Sequence, residues 1–264
     1  MWSNEHIAYL TRVKRRKILV LTAQAVLLVA FFALWEIAAR QRWIDAFIFS
    51  QPSRMWGVFT TKIADGTLWR HMGITLWVTV VGFVLSTVIG TVAAALLWWN
   101  QFVSHILAPY LVVLNSLPKT ALAPILIVWI GNNVRSIIVT ALLISVVVSI
   151  ITVLNGFLSV DQEKIKLIRT FSGKKSQTLF KLILPANIST IIAAMKINVG
   201  LSLVGVIVGE FLVAQAGLGF LIVHGSQIFR MDWVMMSITI LCAMAAILYQ
   251  LVVILEKKAQ GWRG

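Results

Sequence analysis

The sequence predicts an all-α polytopic membrane protein with six transmembrane helices and a cytoplasmic loop of two short helices between the fourth and fifth spans. Three observations carry that expectation. Of 264 residues, 59% are hydrophobic and only 12% charged, with a mean hydropathy of +0.92, which is far more apolar than a soluble domain of this length requires. The apolar residues lie in runs long enough to cross roughly 30 Å of hydrocarbon, which takes about 20 helical residues. The basic residues, which bring the net charge to +14, gather beside these runs. That placement marks the cytoplasmic side of membrane spans and argues against nucleic-acid binding.

Taken in order, the first span is expected over 18–39, directly after Arg12, Lys14, Arg15, Arg16 and Lys17. Such a start resembles a secretion signal, but the run is long and lacks a small-residue cleavage pattern, so it reads as an uncleaved span. Residues 41–72 form the longest external connection, and the amphipathic stretches around 56–63 and 68–71 suggest an interfacial helix. The second span, 73–99, carries Gly82, Gly90, Ala93 and Ala94, small residues that let helices approach closely. The third, 106–130, contains Pro109, Pro118 and Pro124 and is expected to be kinked or broken. The fourth, fifth and sixth spans are expected over 134–154, 186–208 and 233–255.

Residues 1–264 read as one membrane domain without internal repeats, and the single cysteine, Cys242, has no partner for a disulfide within the chain. An even number of spans puts both termini on one side. The N-terminal basic cluster, the 161–185 loop and the terminal Lys257, Lys258 and Arg263 all fall on that side, which is therefore the cytoplasm. Trp98, Trp99, Trp129 and Trp233 lie at expected span ends and read as an interfacial belt.

The 161–185 loop carries the main functional signal. Ile165, Ile168 and Phe171, then Leu179, Leu182 and Ile183, recur at three- and four-residue spacing, with basic residues on the other face. Ser172-Gly173 offers a turn between the two stretches. The pattern predicts two amphipathic helices forming a knob for a partner's groove. Ile168 and Phe171 are its expected apolar contacts, since exposed apolar residues on a loop need a partner. Arg169, Lys174 and Lys175 either touch that groove or form a solvated positive face.

This loop resembles the cytoplasmic coupling motif of binding-protein-dependent ABC importer permeases: Glu-Ala-Ala, three residues, Gly, nine residues, Ile-x-Leu-Pro. Leu184-Pro185 matches the end of the motif, Leu182 falls on its Ile and Ser172 on its Gly, with Gly173 one place further on. Lys166-Leu167-Ile168 occupies the Glu-Ala-Ala positions, so a lysine stands where the family has an acid. The stretch from Ser116-Leu-Pro-Lys to Trp129-Ile-Gly131, and Val208-Gly-Glu-Phe through Gly219, resemble segments of the nitrate/sulfonate/taurine subfamily in collinear order.

The resemblance implies a permease subunit of the bacterial inner membrane, multi-pass, with both termini cytoplasmic. It implies a second permease copy, identical or not, and two ATPase subunits docked on the coupling loops. Ile168, Arg169, Phe171, Ser172, Gly173, Lys174 and Pro185 are then the ATPase-coupling residues. An extracytoplasmic binding protein would deliver the solute. The chain has no G-x-x-x-x-G-K-[ST] phosphate loop, so ATP and Mg belong to the partner ATPase and no cofactor is expected on this chain. No His/Cys/Glu set with metal-ligand spacing occurs, so neither a metal site nor a catalytic site is expected.

Several polar residues within the expected spans are candidates for a translocation pathway or gate, because charge at membrane depth usually faces a cavity or a partner. Lys119, with Asn115 on the same helical face, is either a pathway cation for an anionic solute or a structural lysine bonded to backbone carbonyls. Lys196 and Glu210 stand fourteen residues apart, about 21 Å along a helix, so they cannot pair within one continuous helix. Asn198 and Ser202 mark a small, polar face together with Gly205 and Gly209. Glu210 opens a segment in which Gly217 and Gly219 either permit a turn or end the fifth helix.

The expected function is ATP-driven import of a small solute such as a sulfonate, taurine, nitrate or a similar anion, or of a pyrimidine or vitamin precursor. The competing reading is an ion-gradient-driven transporter or channel in which Lys119, Lys196 and Glu210 are the coupling groups.

Overall fold

A computed structural model describes residues 4–213 and 215–261. Helix α1 runs over Asn4–Arg40, so the basic cluster forms its early turns. The connection that follows contains two short helices. Asp45 caps α2 (Ala46–Phe49) by accepting from the Phe47 N–H at 2.8 Å. Helix α3 (Pro52–Ala64) opens on a proline, where a missing N–H costs nothing, and Glu36 of α1 accepts its Ser53 N–H at 3.0 Å. Asp65 then takes hydrogen bonds from the Thr67 hydroxyl and N–H, which hold its carboxyl below the usual carboxylate range.

Helix α4 (Thr67–Trp99) starts six residues before the expected span, so 68–71 belongs to the long helix and only α3 matches the interfacial expectation. The next span is broken. Helix α5 (Gln101–Ser116) is followed by a 3-10 turn (Lys119–Leu122) and α6 (Ala123–Ile130), and the two parts are bent by 83°. Of the three prolines only Pro118 makes the break, forcing Leu117 to an extended ψ of 141°. Pro109 remains inside α5, and Pro124 sits in the first turn of α6, where proline is tolerated.

Helix α7 (Val134–Leu158) is capped by Asn133, whose side chain accepts from the Arg135 and Ser136 N–H groups. The charged loop supplies α8 (Gln162–Thr170) and α9 (Lys175–Thr178). A wide π-helical turn (Leu179–Ile183) and α10 (Leu184–Ala186) then lead into α11 (Ile188–Val213). Helices α12 (Leu218–Gln227) and α13 (Met231–Gly261) complete the chain. Five helices are long and apolar enough to cross a membrane, and the bent α5–α6 pair makes a sixth if it counts as one span.

Helices α4, α7 and α11 form the centre of the bundle and meet along a polar seam. Ser86 shares a hydroxyl contact with Ser145, which also accepts from Ser202 at 3.4 Å. Asn198 donates to Thr87 at 2.9 Å and to Ser149 at 3.2 Å. Gly205 lies directly on the backbone of Ala141, where any side chain would collide. Apolar clusters close both ends. At the end near the charged loop, Trp98 packs with Phe157, Ile165, Leu179 and Ile183. Trp98 is only 8% exposed and therefore belongs to the core, not to the expected belt, whereas Trp129 is 77% exposed. At the opposite end, Leu68, Leu218, Leu221 and Met236 pack together. Helix α1 stands apart, touching α2 and α3 near its far end while its apolar length stays exposed.

Candidate functional site

The charged loop is rooted in the bundle by its own apolar residues. Ile165 from α8, with Leu179 and Ile183 from the π turn, joins the cluster that seals the ends of α4 and α7. Lys175 donates from Nζ to the carbonyl of Trp99, the last residue of α4, and the Lys174 backbone N–H donates to the Gln177 side-chain oxygen at 2.8 Å. The bend falls at the expected dipeptide. Ser172 takes a left-handed φ of 55°, and Gly173 sits against Ile168 so closely that a Cβ would overlap its side chain and carbonyl. Pro185 lies in the short α10, where its missing N–H is harmless.

This packing divides the loop's apolar residues differently from their spacing. Ile168 is half-buried under the bend, while Phe171 is 80% and Leu167 58% exposed. Leu167 and Phe171, one helical turn apart, therefore form a free apolar pair on α8, with Arg169 exposed nearby, and Phe180 of the π turn is exposed as well. Sequence spacing missed Leu167 because Ile165, Ile168 and Phe171 look like one stripe, and only the position of the bundle separates the buried side from the free one.

In the broken span, Lys119 begins the 3-10 turn after Pro118. Its Nζ donates to the Asn115 side-chain oxygen at 3.4 Å and to the Ile144 carbonyl of α7 at 3.3 Å. Both acceptors are neutral, so the cation has no counter-ion among the described residues. The structure thus brings Lys119 and Asn115 together on the exposed side of α5, a helix with no buried residue.

Glu210 sits at the opposite end of the bundle, 1% exposed. One carboxylate oxygen accepts from the Thr75 hydroxyl of α4 at 2.8 Å, and the other accepts from the Gly219 N–H at 2.7 Å. Thr75 in turn accepts the Leu218 N–H at 2.8 Å, and His71 Nδ1 accepts the Gly217 N–H at 2.9 Å. Three side chains from α4 and α11 therefore satisfy three successive amides where α12 begins. Gly217, at φ +127°, leaves the space that the Glu210 carboxylate fills. Local sequence at Gly217 is compatible with either a turn or a helix end and does not set α12 apart. The signal is faint: a short apolar stretch, Phe220 to Val223, between two longer runs, opened by Gly-Leu-Gly and followed by His224.

Lys196, Asn198 and Ser202 are not brought together with Lys119 or Glu210. Asn198 and Ser202 lie in the α4–α7–α11 seam, buried by this chain's own helices. Lys196 makes an ion pair with Glu256 of α13, a partner invisible to local spacing because it lies sixty residues away.

An apolar helical bundle with a broken α5–α6 pair and an elbow of charged helices rooted in its core fits a transporter permease. Residues 86–259 match the family model described as binding-protein-dependent transport system inner membrane component, and the chain belongs to that family. It is a permease component of an ABC importer. Among its relatives, a probable ABC transporter permease protein of Haemophilus influenzae is 28% identical, covering 82% of this chain and 87% of that protein. The formylaminopyrimidine transport permease protein ThiX of Halalkalibacterium halodurans is 28% identical over 71% of this chain and 74% of its own length. A putative aliphatic sulfonates transport permease protein, SsuC, of Bacillus subtilis is 26% identical over 88% and 84%. These names fit the nitrate/sulfonate/taurine subfamily. In fold, the chain is similar to the MetNI methionine ABC transporter in an inward-facing form, with a TM-score of 0.67 at 16% identity over 75% of this chain and 98% of that one.

Proposed function

We propose that this chain is one of two permease subunits in a complex with two ATPase chains and an extracytoplasmic solute-binding protein, and that its elbow of α8 and α9 is the ATPase contact. The observation that carries this reading is the free apolar pair Leu167 and Phe171 on an otherwise basic elbow whose root is part of the bundle core. Exposed apolar side chains beside Arg169 suit a partner's groove, and a rooted elbow passes a push from that groove to α4, α7 and α11 as one body. ATP and Mg would act on the partner chains. The loop end, with both termini, faces the cytoplasm in this reading, supported by the three basic clusters on that side.

The solute in this reading is a small anion of the sulfonate type. Lys119 supports it: a cation held only by an amide oxygen and a backbone carbonyl retains its attraction for an anion. Asn115 and Lys119 would line the path between this chain's α5–α6 face and a second copy. The relatives that carry formylaminopyrimidine or riboflavin in their names support a second reading, a vitamin precursor. The deciding experiment reconstitutes the purified complex in proteoliposomes and follows ATP-dependent uptake of taurine, an alkanesulfonate and a formylaminopyrimidine. Uptake without ATP, or a purified complex with no ATPase chain, would reject the importer assembly. Preference for the uncharged pyrimidine, unchanged in Lys119→Met, would reject the anion pathway alone.

A further inference from the structure

Two apolar grooves lie side by side at the end of the bundle opposite the charged loop. One, of about 300 Å³, runs under α3 between α1 and α13, and the other, of about 590 Å³, lies between α1 and α13. Phe32 and Thr239 border both and form the ridge between them. The site is held together by specific contacts. Glu36 of α1 binds the Ser53 amide at the start of α3, and the buried Ser50 donates to Asp232 in the first turn of α13 at 2.8 Å.

The rim is cationic. Phe59 and Met236 line the first groove, and one turn further along each helix stand Lys62 and Trp233. The Lys62 ammonium lies 3.7 Å from the centre of the Trp233 ring, and the Arg230 guanidinium lies 5.8 Å from the same ring. Neither cation has a carboxylate within ion-pairing distance among the described residues: Asp65, which feels the Lys62 charge from a longer range, is bonded to Thr67, and Asp232 is engaged by Ser50. Two cations gathered on one indole, above paired apolar grooves, match the two halves of one molecule.

We propose that these grooves hold the two acyl chains of an anionic phospholipid, with its phosphate between Lys62 and Arg230. Zwitterionic lipids share the chains but carry a compensating cation in the headgroup, so charge selects the anionic class. A bound lipid would also fill the space between α1 and α13, extending the packing of α1 beyond its contacts with α2 and α3. The inference rests on the membrane fold alone, and its test reads no transport.

Native mass spectrometry on the purified complex, exchanged into nanodiscs of equal phosphatidylglycerol and phosphatidylcholine, measures which lipid stays bound. The expected result is retained phosphatidylglycerol, with the preference falling about fivefold for each cation removed in Lys62→Gln and Arg230→Gln. Thr239→Trp, which fills the ridge between the grooves, should expel lipids of both headgroups. Equal retention of the two lipids by the unaltered protein, or an unchanged preference in the double Lys62→Gln/Arg230→Gln variant, overturns the proposal. So does a second protein copy crosslinking across the grooves with no lipid retained.

Discussion

Glu210 acts as a helix cap supplied from a distance. A buried carboxylate is costly unless its oxygens are filled, and here Thr75 and the Gly219 amide fill them while Gly217 provides the room. Glu210→Gln keeps the shape but turns an amide N–H₂ toward one of these donors. It should destabilise the protein by about 1–3 kcal/mol and reduce uptake, read as a lower melting midpoint in detergent and slower proteoliposome transport. Gly217→Ala puts a methyl group on the carboxylate at a backbone angle that only glycine accepts comfortably. It should cost at least as much, about 1–3 kcal/mol from the backbone alone. If both variants melt like the unaltered protein, the cap is not structural. Reading the sequence identified Glu210 as unusual, because an acid within an apolar run is legible without a fold. Its role was not legible, since Thr75 and His71 belong to another helix more than a hundred residues earlier.

At the scale of elements, the loop and the broken span were the most readable features. Three- and four-residue apolar spacing marked α8, Ser172-Gly173 marked the bend, and the three prolines together marked a break that the structure places at Pro118, because each rests on local backbone sterics. Local spacing did not divide the stripe into its rooted and free sides. The division makes a contrast that can be tested. Leu167→Asp and Phe171→Asp should leave the fold intact and each weaken retention of the ATPase in a pull-down by about 2 kcal/mol or more. Ile165→Asp instead places a charge in the Trp98–Phe157 cluster and should lower expression and melting temperature. Equal losses of stability from Phe171→Asp and Ile165→Asp would contradict the assignment of free and buried faces. The α12 helix was missed for a related reason. A ten-residue helix with a short apolar stretch beside two long runs gives no clear boundary until the amides at its start are seen to be capped from α4 and α11.

For the whole molecule, the Lys196–Glu256 pair joins α11 to α13. Each side chain keeps 20% of its surface exposed, so losing one partner should cost about 1–3 kcal/mol, less than for a fully buried pair. A double-mutant cycle of Lys196→Met and Glu256→Gln, followed by thermal melting, should give a combined loss smaller than the sum of the single losses. Additive losses would mean that the two charges do not interact. The long apolar helices, the basic residues gathered beside them and the presence of an elbow followed from the sequence alone. Hydropathy, charge placement and helical period are properties of contiguous residues, and a bilayer acts on them one segment at a time. Only the tertiary structure decided which polar residues meet: the seam of Asn198, Ser202 and Ser145, the cap around Glu210, the partner of Lys196 and the free face of the elbow. Those choices depend on how helices rotate and pack against one another, and the stretches that meet are separated by tens to more than a hundred residues of chain.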